Sequence, residues 1–216
     1  MPIKAVVFDV GETLIDESRM WRGWASYLGV PDREFIAALE DVIASGDDHR
    51  AVFARFRPRL DLSAARRERA ARGDNDIFRA QDLYPDAAPC LRELRNRGYR
   101  IGIAGNQPAD AVAALQSLDL AADFVATSAT LGVAKPSGAF FEKVVAMAGV
   151  AARETAYVGD RLDNDILPAR TSGLATVFLL RGPWAKVHMH RPDAALASAT
   201  LSGLTGLADV LARLND

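Results

Sequence analysis

Apolar positions along this chain follow two rhythms. Ile3-Lys4-Ala5-Val6-Val7-Phe8 is a short, mostly apolar run with β-branched residues, the pattern of a strand buried on both faces. Comparable runs lie at Arg100 to Ala104, Phe124 to Thr127, Thr155 to Val158 and Ala175 to Leu179. After Leu14 the period turns helical and stays so to about Gln81. Met20, Trp24 and Leu28 recur at helical spacing, as do Phe35, Leu39 and Val42. Pro31-Asp32 reads as a helix start and Gly46 as a stop. A further helix runs through Val52, Phe53 and Phe56 until Pro58 breaks it. The arginine-rich stretch Arg66 to Arg72 reads as a solvated helix. Leu91 and Leu94 belong to a helix ended by Gly98, after which strands and helices alternate. That alternation predicts an α/β fold with a doubly wound parallel sheet.

Candidate chemistry sits at the ends of the predicted strands. The run Ala156-Tyr157-Val158 leads into Gly159-Asp160, with a further aspartate at Asp165. Carboxylates crowded at the end of a buried strand repel one another unless a cation is present, and hard oxygen ligands suit Mg²⁺. The first strand likewise ends in Asp9, followed by Val10-Gly11-Glu12-Thr13-Leu14. Ligands of open α/β sheets bind outside the carboxyl ends of the strands, so Asp9 and Asp160 are expected at one site. Lys135 stands in Gly132-Val133-Ala134-Lys135-Pro136. Lysine is the minority cation, being four of the 26 basic residues, and Pro136 restrains the backbone just after it.

In order and spacing these segments resemble the haloacid dehalogenase superfamily of hydrolases, most of whose members are Mg²⁺-dependent phosphatases. Asp9 to Thr13 resembles the family's first motif, Asp-x-Asp-x-Thr, here in the atypical form Asp-x-Gly-x-Thr. Gly105-Asn106 falls at the second, Lys135-Pro136 at the third, and Gly159-Asp160 through Asp165 at the fourth. The resemblance implies a Rossmann-like core of residues 1–15 and 82–216, with residues 16–81 inserted as an α-helical cap. It also implies Asp9 as the nucleophile and Mg²⁺ held by Asp9, the backbone carbonyl of Gly11, Asp160 and Asp165. Lys135 would offset charge on Asp9 and on the transferring phosphoryl group. Thr13 and the backbone around Gly11, Glu12, Gly105 and Asn106 would receive the phosphate.

Two departures matter as much as the match. The family's second aspartate, the acid/base, is Gly11 here, and the usual Ser or Thr of the second motif is Gly105. General acid–base catalysis contributes about 10²–10⁴-fold, or about 3–5.5 kcal/mol of barrier. Glu12, one residue later, is the candidate stand-in; its alternative reading is an exposed turn glutamate. Phosphonatase relatives tolerate a small residue at position 11 but need a cap lysine, and residues 16–81 contain none. Haloacid dehalogenases also depart there but dispense with Mg²⁺, so Asp160 and Asp165 favour phosphoryl substrates. The expectation is a Mg²⁺-dependent phosphatase of small phosphorylated metabolites. The alternative is a catalytically degenerate protein that binds Mg²⁺ and phosphate, or a partner, without turnover.

Composition narrows the partners. The 216 residues suffice for one good core plus a small second module. A net charge of −2 argues against nucleic acid or anionic membranes as main partners. No apolar run approaches the ~20 residues that span a bilayer, and the N-terminus leads straight into the first strand. Cys90 is the single cysteine, which excludes an internal disulfide and fits a reducing, cytoplasmic setting. A monomer or a homodimer is expected. Trp21, Trp24 and Tyr27 read as core, the alternative being that one of them faces the substrate. Trp184 reads as a packed loop residue, and His49, His188 and His190 as surface residues.

Overall fold

The structure, a computed structural model, describes residues 2–215. The first strand, β1 (Ala5–Phe8), is buried throughout. Four helices follow: α1 (Ser18–Leu28), α2 (Asp32–Ser45), α3 (Ala51–Phe56) and α4 (Leu62–Ala71). Thereafter come α5 (Ala87–Asn96), β2 (Arg100–Gly105), α6 (Ala111–Ser117), β3 (Phe124–Thr127), α7 (Ser128–Leu131) and α8 (Gly138–Ala148). The last third holds β4 (Thr155–Gly159), a π-helical turn (Leu162–Ile166), α9 (Leu167–Thr171), β5 (Ala175–Leu179), α10 (Gly182–His188), β6 (Ala199–Leu201) and α11 (Leu207–Asn215). No helix among the described residues is long and apolar enough to cross a membrane.

The chain divides into two compact units, one of Met1–Asp16 with Arg79–Asp216 and one of Glu17–Phe78. In the first, six strands pair in parallel in the order β3-β2-β1-β4-β5-β6. Val7 and Tyr157 of the sheet pack with Phe140, Phe141 and Val144 of α8, while Phe178 packs with Leu162, Ile166 and Ala185. By the register these sheet residues share one face, and Val6, Phe8, Ile103, Val158 and Val177 of the opposite face are just as buried, which is why the strands are continuous apolar runs. Strand order reverses at β1, the point where such sheets open a crevice. β6 escapes the sequence reading: its Ala-Thr-Leu is three residues long and only partly apolar, and it is recruited by pairing with β5.

The second unit is all helical. α1 ends at Gly29 in the left-handed conformation, with φ of 73°. Asp61 starts α4 by accepting from the Ser63 and Ala64 backbone N–H groups. Trp24 lies at its centre, with the Phe53 ring edge-on at 4.6 Å and the Arg69 guanidinium 4.2 Å from the indole centroid. Residues 66–72 are exposed, as the solvated reading expects, except for Arg69, which departs from it. Arg69 is 2% exposed and pairs with Asp74 at 2.8 Å and Asp76 at 2.6 Å. Its partners lie beyond the helix, so helical spacing alone does not disclose them.

Candidate active site

Two neighbouring strands deliver the first two carboxylates. Asp9 follows β1 and Asp160 follows β4, and the Asp9 backbone N–H donates to Val158 O at 2.9 Å. Asp165 comes from the π-helical turn after β4. A Cβ on Gly159 would lie 2.5 Å from Asp165 Oδ2, so only glycine before Asp160 lets that carboxylate fold back over the strand end. Carboxylate oxygens of Asp9, Asp160 and Asp165 lie within 4.8 Å of one another, and all three residues are buried.

Lys135 enters this cluster from the loop before α8. Its Nζ donates to Asp9 Oδ1 at 2.7 Å and to Asp165 Oδ1 at 2.5 Å, and its side chain is 1% exposed. Burial alone would lower the Lys135 pKa, but the charges of Asp165 and Asp9 outweigh it and hold the ammonium well above its ordinary value. Burial pushes the Asp160 carboxyl well up, with Asp165, Asp9 and Glu12 adding to the shift. Burial raises Asp165 to about 6, with Lys135 opposing and Asp9 reinforcing the rise.

Lys135 thus bonds two of the three carboxylates and the Arg161 charge also favours Asp160 and Asp165, yet Asp160 Oδ2 is buried without any hydrogen-bond partner. A buried carboxylate oxygen left unpaired is costly. Hard oxygen donors with an unmet negative charge fit a small divalent cation such as Mg²⁺.

The loop after β1 turns sharply. Glu12 has φ of 53°, a left-handed conformation that is costly for a residue with a side chain. It is 3% exposed, not an exposed turn residue, and its Oε2 accepts from the Tyr84 hydroxyl at 2.7 Å. A Cβ on Gly182 would lie 2.5 Å from Glu12 Cγ, so the start of α10 walls in this side chain. The Glu12 backbone N–H donates to Ile15 O at 2.7 Å. That bond closes the turn from Glu12 to Ile15.

Thr13 is buried and its Oγ1 has no hydrogen-bond partner. Its carbonyl accepts from Arg181 Nη1 at 3.0 Å. Arg181 also pairs with Asp86 and stacks 4.1 Å from the Tyr84 ring centroid. At the end of β2, Gly105 faces Asp9, and Asn106 bonds through its side chain to the Lys135 backbone.

Sequence reasoning missed Tyr84, Arg181 and His188. Nothing local marks the first two; their roles appear only when distant segments meet. His188 is 3% exposed rather than a surface residue, and its Nδ1 accepts from the Leu162 N–H at 3.3 Å, at the start of the π-helical turn. Trp184 is packed as expected, but on α10 rather than in a loop.

A family model described as a haloacid dehalogenase-like hydrolase matches residues 3–173. A glyceraldehyde 3-phosphate phosphatase of Methanopyrus kandleri is 29% identical, over 88% of this chain and 90% of its own length. A protein of the same description from Pyrococcus furiosus is 29% identical, over 99% of this chain and 95% of its own. Among solved structures, a HAD-superfamily hydrolase of Geobacter sulfurreducens has the same fold, with a TM-score of 0.67 and 23% identity. That likeness spans 97% of this chain and 96% of the other.

Proposed function

The chain belongs to the haloacid dehalogenase-like hydrolases, and from that premise we propose that it is a Mg²⁺-dependent phosphatase of small phosphorylated metabolites that works through an aspartyl-phosphate on Asp9. The observation that carries this reading is the buried group of Asp9, Asp160 and Asp165 at one strand-end crevice, with Lys135 bonded to two of them. Relatives described as glyceraldehyde 3-phosphate phosphatases support the substrate class.

Asp9, the Gly11 carbonyl and Asp160 would hold Mg²⁺, with Asp165 as ligand or support, and the bound ion neutralises charge so that an anionic nucleophile can meet a phosphate. Asp9 attacks phosphorus in line, and the bond from phosphorus to the leaving oxygen breaks as the Asp9–phosphorus bond forms. Lys135 offsets the charge on Asp9 and on the transferring group. Thr13 Oγ1, buried without a partner, is a donor available to a phosphoryl oxygen. Water then attacks the aspartyl-phosphate at phosphorus, releasing inorganic phosphate and restoring Asp9.

Gly11 has no side chain to protonate the leaving oxygen. Glu12 fills that role in this reading, giving its proton to the leaving group and taking one from the attacking water. Its burial and its hydrogen bond from Tyr84 support this, because both fix the carboxylate against the loop. The direct test is metal dependence. Chelator-treated protein should release no phosphate from glyceraldehyde 3-phosphate or acetyl phosphate, and Mg²⁺ should restore release in the wild type but not in Asp160→Asn. Turnover indifferent to the chelator would overturn the metal assignment.

A further inference from the structure

We propose that Asn106 is a positioning residue whose side-chain amide clamps the Lys135 backbone and so fixes the Lys135 ammonium between Asp9 and Asp165. The proposal deepens, and rests on, the reading of Asp9 and Lys135 as reacting groups. Asn106 Oδ1 accepts from the Lys135 N–H at 2.8 Å, and Asn106 Nδ2 donates to Lys135 O at 3.0 Å. Both backbone groups of one residue are thus held by one amide, across 29 positions of sequence. Only one orientation of the amide satisfies both bonds, since the N–H needs an acceptor and the carbonyl a donor.

The clamp matters because lysine is a flexible ligand. Its four-carbon stem places the ammonium only if its Cα is fixed and its path is walled. The walls are present: Lys135 Nζ lies 5.4 Å from the Tyr157 ring centroid and 6.0 Å from that of Phe140. Tyr157 is tied in turn to the end of β2, its hydroxyl donating to Ala104 O at 2.7 Å. Three successive residues there serve three partners: Ala104 holds Tyr157, Gly105 leaves room for Asp9, and Asn106 holds Lys135. The second-motif position thus organises the Asp9–Lys135 pair where it lacks a hydroxyl for the substrate.

A direct phosphate contact by Asn106 and an action through Lys135 leave different kinetic marks. Loss of the clamp in Asn106→Ala should lower kcat about ten- to a hundredfold, the scale of a misplaced catalytic group, with little change in KM. Asn106→Asp keeps the acceptor and loses the donor, and its kcat should fall in between. In a Lys135→Ala background, Asn106→Ala should cost nothing further, because residues acting through one another are not additive. A rise in KM with kcat intact, or a loss that multiplies on that of Lys135→Ala, would overturn the proposal.

A second readout does not need activity. The chain has four lysines, at positions 4, 135, 143 and 186, so ¹⁵N-lysine labelling gives four backbone amide signals. The Lys135 signal, identified with Lys135→Arg, should exchange with solvent faster in Asn106→Ala while the other three stay unchanged. An unchanged Lys135 amide would overturn the clamp whatever the kinetics. A protected amide in a wild type without turnover would instead sink the phosphatase reading and leave the clamp standing.

Discussion

Gly105 and Asp9 share one space: a Cβ at position 105 would lie 2.5 Å from Asp9 Oδ1 and 3.1 Å from Val10 Cγ2. Asp9 cannot simply swing away, because that same oxygen accepts from Lys135. The glycine is therefore fitted to the carboxylate as it stands. Gly105→Ser, which restores the family's usual hydroxyl, should lower kcat by about tenfold or more through displacement of the nucleophile. Steady-state kinetics on acetyl phosphate check this; a faster variant would show that Asp9 yields easily.

Glu12 and Tyr84 yield a prediction about leaving groups. Glu12→Gln should reduce turnover of alkyl phosphates by about 10²–10⁴-fold, the usual contribution of an acid/base. Acetyl and aryl phosphates need little protonation and should suffer far less. Tyr84→Phe removes the hydrogen bond to Glu12 and should shift the same ratio in the same direction, by less. Equal losses across the substrate series would remove Glu12 from proton transfer.

Stability should carry the mark of His188. Burial holds its imidazole below the ordinary value of about 6.5, against the opposing pull of Asp163. As pH falls through ~6.5 the unfolded chain takes the proton first, so this contribution to stability is complete above that value and is lost toward the lower folded pKa. In urea unfolding of chelated protein at several pH values between about 8 and 5, this fall toward acid is superimposed on an opposite contribution. The raised Asp160 and Asp165 carboxyls stabilise the fold toward acid, so the fall is read from the difference between wild type and a His188 variant. His188→Gln should flatten that fall relative to the wild type. Parallel curves would mean that the imidazole titrates alike in both states.

Asp9 and Asp160 are legible in the sequence because their placement follows from local rules, whereas Lys135, which alone reads as a surface lysine before a helix, is placed by the family resemblance. Two apolar runs each ending in aspartate become neighbours once the sheet is parallel and β1 lies beside β4. The rest depends on tertiary register. Tyr84 meets Glu12 across 72 positions, and Leu162 meets His188 across 26. No periodicity reports such pairs, since an isolated histidine or tyrosine reads the same whether satisfied in a core or solvated. Arg69 is the instructive case: its run of arginines suggests solvent, yet two aspartates beyond the helix allow it to be buried against Trp24. Glu12 is similar, because its left-handed backbone turns inward a side chain that a regular turn would expose.

The most direct measurement is phosphate release from acetyl phosphate, an aryl phosphate and glyceraldehyde 3-phosphate, with and without Mg²⁺, in the wild type and in Asp9→Asn. Metal-dependent turnover in the wild type, abolished in the variant on all three substrates, is the predicted result. No turnover on any of them, alongside tight binding of Mg²⁺ and a phosphate analogue, would contradict it and identify a binding protein built on a hydrolase fold.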